Sequence, residues 1–115
     1  MEINKIASTC ILFGLSFKVI PDTQRVLIKY NDKVYPIRSL NGLKSLVNHF
    51  KLKPLVNPKF NKFMPSGKYE GWSVYVIHRK DRRYLNSLLN DPTYRQNNEW
   101  LIELMSELNK IYTKI

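Results

Sequence analysis

The stretch Arg25-Val-Leu-Ile-Lys-Tyr-Asn-Asp-Lys-Val-Tyr-Pro-Ile-Arg-Ser-Leu-Asn-Gly-Leu-Lys-Ser-Leu-Val-Asn-His-Phe50 decides the fold of this chain. Two runs rich in β formers, Arg25 to Tyr30 and Lys33 to Arg38, flank Asn31-Asp32. That pair has the length and residue types of a two-residue hairpin turn. Pro36 has no N–H to donate to a ladder, so the second strand is expected at a sheet edge or ends there. The outward set of this hairpin includes Arg25, Lys29 and Lys33 or their alternates, which predicts a basic sheet face. Beyond it the period changes from two to 3.6. Ser39 or Asn41 caps a helix whose apolar stripe is Leu43, Leu46, Val47 and Phe50.

Upstream, Ile3, Ile6, Ala7, Cys10 and Ile11 recur at helical spacing and Gly14 stops the helix. Phe17 to Ile20 reads as a strand closed by Pro21-Asp22. Downstream, Pro54, Pro58, Pro65, Gly67 and Gly71 break the segment 51–71, predicting a long irregular loop of a kind that is usually functional or disordered. Gly71 to Arg79 reads as a strand with Trp72, Val74, Val76 and His78 on one face. Asp81 caps a short helix carrying Leu85, Leu88 and Leu89, ended by Asn90-Asp91-Pro92. From Asn98 onward, Trp100, Leu101, Leu104, Met105, Leu108, Ile111, Tyr112 and Ile115 outline an amphipathic helix. The sum is one α+β domain over 1–115: a small, mainly antiparallel sheet of three to four strands packed by the 41–50 and 98–114 helices, with the basic loop along one side.

Charge narrows the function. The chain has 19 Lys and Arg against 9 acids, a formal +10, and a sequence pI of about 9.8. Most of that excess lies between Lys44 and Arg83, where Glu70 and Asp81 are the only acids. Self-repulsion on this scale opposes compaction, and a polyanion relieves it. Lys51, Lys53, Lys59, Lys62 and Lys68 are spaced along the loop among Phe60, Phe63, Tyr69 and Trp72. Extended segments of this kind lay cations on a phosphate backbone and stack bases on rings, Trp72 first among them here. The competing reading makes each ring an anchor to the core. Arg79, Lys80, Arg82 and Arg83 form a second cluster at the start of a helix, where cations oppose the dipole. There they grip phosphates beside the first-turn amides, or pair with Asp81 and Glu70 as plain surface.

Catalytic grammar is thin. No nucleophile elbow occurs, and Pro65-Ser-Gly-Lys68 lacks the first glycine of a phosphate-binding loop. The nine acids are scattered, with Glu99, Glu103 and Glu107 on one helix face, so no paired carboxylates for a metal-dependent nuclease are visible. Cys10 is the only cysteine and excludes an intrachain disulfide; with His49 and His78 alone it matches no zinc spacing. No catalytic, metal or cofactor site is expected. No apolar run approaches a membrane span, and Cys10 to Leu15 is too short for a leader core. The expected setting is intracellular, cytoplasmic or organellar, or host cytoplasm for a phage-encoded chain.

The run Val34 to Phe50, followed by Pro54-Leu55 and Lys59, resembles the second half of the LAGLIDADG homing endonuclease and maturase family. There a hairpin leads to a helix ending in a His-Phe pair, then a Pro-Leu and a lysine. Asn98 to Asn109 is similar to that family's closing helix. The likeness covers about residues 25–64 and part of 98–110. Cys10-Ile-Leu-Phe-Gly-Leu15 carries no carboxylate where the family's metal-binding acid belongs, and 65–97 has no counterpart. The resemblance therefore implies nucleic-acid contact without cleavage.

The expected function is non-catalytic nucleic-acid binding. RNA or a ribonucleoprotein is favoured over sequence-specific duplex DNA, because no helix-turn-helix or zinc-finger grammar is present. The site residues are Lys51, Lys53, Lys59, Lys62, Lys68, Trp72, Arg79, Lys80, Arg82 and Arg83. The alternative is a small inhibitor or accessory protein docking through its basic face on a protein that handles nucleic acid.

Overall fold

A computed structural model describes residues 2–112 of the chain. Helix α1 (Glu2–Leu12) leads into β1 (Ser16–Ile20), β2 (Arg25–Tyr30) and β3 (Lys33–Ile37). Helix α2 (Leu40–His49), a long connection, and then α3 (Val74–Lys80), α4 (Arg82–Leu89), α5 (Pro92–Asn97) and α6 (Glu99–Tyr112) complete the α+β fold. The sheet is antiparallel in the order β1-β2-β3. The turn is encoded as the sequence predicts: Asn31 and Asp32 both take positive φ, 51° and 63°. Such a pair matches the twist of the flanking strands. Pro36 sits on edge strand β3, where no ladder bond is lost on the outer side.

Two apolar clusters form. In the first, Val26, Ile28 and Ile37 from the sheet pack on Ile6 and Cys10 of α1 and on Leu43, Leu46 and Val47 of α2. Ser39, rather than Asn41, caps α2 through a 3.1 Å bond to the Gly42 amide. Phe50 closes this cluster against Tyr30 and Tyr35 at ring distances of 4.7 and 5.7 Å. The second cluster joins Leu12, Phe60, Met64, Val74 to Ile77, Leu85, Leu101, Met105 and Leu108. Helix α1 serves both. The sheet thus rests on α1 and α2, while α6 packs with α3 and α5. The radius of gyration is 15.1 Å and the extents are 46 × 34 × 20 Å. A compact chain of this length would have a radius of about 13 Å, so the two clusters lie side by side in a flat body.

The strand expected over Gly71 to Arg79 is a correction. Phe63 and Ser73 make one isolated antiparallel bridge, and the chain then turns into α3. Ser73 caps that helix, accepting from the Val76 amide at 3.2 Å. Val74, Tyr75, Val76, Ile77 and His78 are all buried. A segment apolar on every side has no period to read, and tertiary burial overrides the β preference of Val and Ile. A further helix, α5, was not anticipated. Asp91 caps it through the Thr93 and Tyr94 amides, with Pro92 at the first position, where its missing N–H costs nothing. The part of the predicted last helix beyond residue 112 lies outside the described residues.

The 51–71 segment is irregular, as expected, with a single 3-10 turn at Pro58–Phe60. It is tied to the body at both ends. Leu55 donates to the Leu12 carbonyl at 2.8 Å, Met64 donates to Trp72 and Val74 donates to Lys62, each at 2.9 Å. Ser8 Oγ accepts from the Ser73 amide at 3.0 Å. No helix among the described residues is long and apolar enough to cross a membrane.

Candidate nucleic-acid interface

Helices α3 and α4 meet at one residue, Asp81, which ends the first and caps the second. Its carboxylate accepts from the Tyr84 amide at 3.3 Å and from the Tyr69 hydroxyl at 2.8 Å, and Lys68 Nζ approaches to 3.6 Å. The Tyr69 hydrogen bond holds the Asp81 carboxyl below its usual range, with the Tyr84 amide and Lys68 adding to the effect. The same bond pushes the Tyr69 phenol up. Asp81 therefore occupies the start of α4 itself, and phosphate contact there falls to side chains rather than to the capped amide. Those side chains are abundant. Lys68 approaches this carboxylate, and Arg79, Lys80, Arg82 and Arg83, all exposed, flank Asp81 along the chain where α3 gives way to α4.

Arg79 and Lys80 are placed by rings. Arg79 donates to the buried Tyr75 hydroxyl at 2.8 Å and lies 5.6 Å from that ring's centre. Lys80 Nζ stands 5.7 Å from the Trp72 ring centre. Arg82 and Arg83 make no ion pair among the described residues, and both point from the first turn of α4. Each cation opposes the helix dipole there by about 0.3–1 kcal/mol when exposed.

The rest of the outer face of α4 is also unfavourable locally. Leu85 is buried and Tyr84, Leu88 and Leu89 are partly buried, leaving Arg82, Arg83, Asn86 and Ser87 outward, with Asn90 as the C-cap. Asn and Ser are up to ~0.7 kcal/mol poorer helix formers than Ala. This face carries no acid. Local preference conflicts with the observed helix along one continuous surface, the pattern expected where a surface serves something other than stability.

The remaining predicted residues stand elsewhere. Lys62 lies 5.5 Å from the Trp100 ring centre, next to an open groove of about 450 Å³ that also involves Lys5 and Phe63. Lys59 pairs with Glu107 at 2.7 Å and covers Phe60. Lys51 and Lys53 follow the C-terminal end of α2. The structure gathers Lys68, Trp72, Arg79, Lys80, Arg82 and Arg83 at the elbow and does not bring Lys51, Lys53, Lys59 and Lys62 to it. The ring faces of Phe60, Phe63, Tyr69 and Trp72 each carry a cation of the same chain within 6 Å. Phe60 is buried and unavailable to a base, while a base stacking on the partly buried Phe63, Tyr69 or Trp72 displaces a lysine. Cation–ring contacts at such sites contribute about 0.5–1 kcal/mol when exposed, which a phosphate contact can offset.

Sequence reading missed Lys5, Asn86, Ser87 and Asn90. Asn86 and Asn90 were legible in principle, since with Arg82 they recur at every fourth residue. Outer strand positions place Lys18 beside Leu27 and Lys29 beside Val34, with Arg25 opposite Ile20. Arg25 and Lys29 thus lie outward as predicted, whereas Lys33 is exposed at the hairpin end.

His78 and Cys10 are committed to structure. His78 is buried in α3 and donates from Nε2 to Asn109 Oδ1 at 2.8 Å. Burial lowers its pKa, the Asn109 bond opposes this, and the charge of Arg82 lowers it further. Cys10 is fully buried and its thiol is pushed up to about 12 by burial. Among the described residues no group of three or more His, Cys, Asp or Glu side chains is placed to hold a metal ion. Comparison with family models, with curated proteins and with solved structures finds no match to this chain.

Proposed function

We propose that this protein binds RNA without catalysis, through the elbow between α3 and α4. The observation that carries the proposal is the exposure of Arg79, Lys80, Arg82 and Arg83 on either side of Asp81, the residue joining α3 to α4, with the exposed Lys68 brought to its carboxylate. A surface of one sign, partly held in place by rings and facing outward, suits phosphate oxygens, and Arg offers them bidentate bonds. Unpaired RNA suits this surface better than duplex DNA, because Val74 to His78 of α3 are buried and α4, which carries Arg82 and Arg83, is only 8 residues long. The test is a fluorescence-anisotropy titration of labelled single-stranded RNA at rising salt. Binding that weakens steeply with salt supports the reading, and absence of binding at low salt refutes it.

A second reading is favoured by a different surface. On the open face of the sheet Val34 is 58% exposed, and Ile20, Leu27 and Val34 form an apolar diagonal flanked by Lys18, Arg25 and Lys29. That combination suits an acidic protein partner, as for an inhibitor or accessory factor. Salt-insensitive behaviour toward RNA, together with loss of a protein complex on Val34→Glu, favours it over the first.

A further inference from the structure

We propose that the hollow between α1, α2 and the 51–71 segment binds one nucleotide, its base inside and its phosphate on Lys44. The site is separate from the elbow and does not depend on RNA binding there. Leu12 and Phe13 at the end of α1, Val47 of α2, and Pro58 and Phe63 of the connection supply its apolar walls. The space is about 420 Å³, inside the roughly 300–1,000 Å³ range of small-molecule sites. Rings and aliphatic carbons suit a flat base of any identity, since every base has a π-face. The connection is held in place here. Asn61 donates its amide to the Pro58 carbonyl at 2.9 Å, and Phe63 is bridged to Ser73.

Few polar groups line the hollow, and they converge. Thr9 is 4% exposed; its hydroxyl donates to the Lys5 carbonyl at 2.9 Å and accepts from Asn61 Nδ2 at 3.0 Å. Asn61 Oδ1 is left buried with no donor among the described residues. A buried acceptor is costly to leave unpaired, and an N–H of a ligand seated here would satisfy it. Every unpaired base offers such an N–H, so the contact favours a base ring without choosing among bases. Lys44 and Asn48, one turn apart on α2, line the same hollow and are exposed. Lys44 makes no ion pair among the described residues, and no acid lines the hollow. A base alone leaves Lys44 without a counter-charge, and an inorganic anion alone leaves the apolar walls and Asn61 unused. A nucleotide meets all three. Asn61 and Phe63 also line the adjoining groove of about 450 Å³, which Lys5 and Lys62 share with Glu70. A strand can continue there with its next phosphate on those lysines, so the nucleotide is either free or an unpaired residue of RNA.

Isothermal calorimetry at low salt compares UMP, uridine and inorganic phosphate. It uses the full chain, the variant Lys44→Glu, and the elbow variant Arg82→Gln, Arg83→Gln. Lys44 is exposed on α2, so its replacement leaves the core intact. UMP should bind the native chain about tenfold or more tighter than uridine or phosphate. Lys44→Glu should remove that margin, and the elbow variant should bind UMP as the native chain does. Phosphate bound as tightly as UMP marks an adventitious ion only and overturns the site. So do absence of UMP binding, a UMP affinity unmoved by Lys44→Glu, and one lost with the elbow arginines. Thiouridine-labelled oligo-U RNA of about 12 nucleotides then names the source. Photo-crosslinks to Phe13 or Phe63 that UMP competes away place a strand residue in the hollow, and UMP binding without them assigns a free nucleotide. UMP binding with no RNA binding at low salt refutes the elbow and upholds the hollow.

Discussion

Replacing Arg82 and Arg83 by Gln should weaken RNA binding and, at the same time, stabilise the fold. Each phosphate neutralised on a single strand contributes about −0.7 to the slope of log K against log salt. Five elbow cations, each holding one phosphate, give a slope of roughly −3.5, and affinity then falls about 130-fold between about 50 and 200 mM salt. Removing two of them leaves a slope of roughly −2.1 and a fall of about 20-fold over the same range. Stability moves the other way, because both cations oppose the α4 dipole. Their loss should add about 0.6–2 kcal/mol in low salt. Anisotropy across a salt series measures the first effect, and urea unfolding followed by tryptophan fluorescence measures the second. An unchanged slope refutes the placement of the interface at the elbow, whatever happens to stability. A lower slope with reduced stability refutes the view that these arginines are held against local preference.

His78 has a folded-state pKa below its ordinary value of 6.5, so the unfolded chain takes up the proton first. Stability should be fully present above pH 6.5 and fall as pH drops below it, at up to about 1.4 kcal/mol per pH unit. His78→Gln should flatten that slope in urea melts between about pH 7 and 5. Cys10 should resist a disulfide-exchange reagent at pH 8 in the native state and react at once in denaturant, since the thiolate is the reactive form and burial disfavours it. Fast native labelling would count against the packing of α1. Ser73→Ala removes the cap of α3 and should cost about 1 kcal/mol, with a lowered urea midpoint and an unchanged m-value.

The sequence made the first half of the fold legible because each local signal there agreed with the tertiary outcome. Asn31-Asp32 demanded a tight turn, Pro36 an edge or a strand end, and Ser39 or Asn41 a cap, and the structure settles these on a turn, an edge and Ser39, with Val26 and Ile28 facing inward. Past Gly71 the signals separate from the outcome. Val74 to His78 is apolar without a period, and its helix is fixed by the Ser73 cap and by surroundings assembled from α1, α4 and α6. Of the site, the Arg79 to Arg83 cluster was visible as an oddity of charge near a helix start. Which lysines join it was not visible. Lys68 is separated from Asp81 by 13 positions and is brought back by the Tyr69 hydroxyl, a contact that no local pattern announces.

Helix α1 contributes Ile6 and Cys10 to one cluster and Leu12 to the other. Its Ser8 hydroxyl accepts from the Ser73 amide and its Glu2 carboxylate from the Leu40 amide. Helix α1 is therefore enclosed only once partners as far along the chain as Ser73, 65 positions after Ser8, are in place. At about 5–20 residues per second, Ser73 follows Leu12 out of the ribosome by roughly 3–12 s. During that interval one apolar stripe of α1 faces the sheet while the other waits for partners not yet made. The basic, slowly closing chain is most vulnerable to aggregation in that window, and its two halves cannot mature separately, because the wall they share belongs to neither.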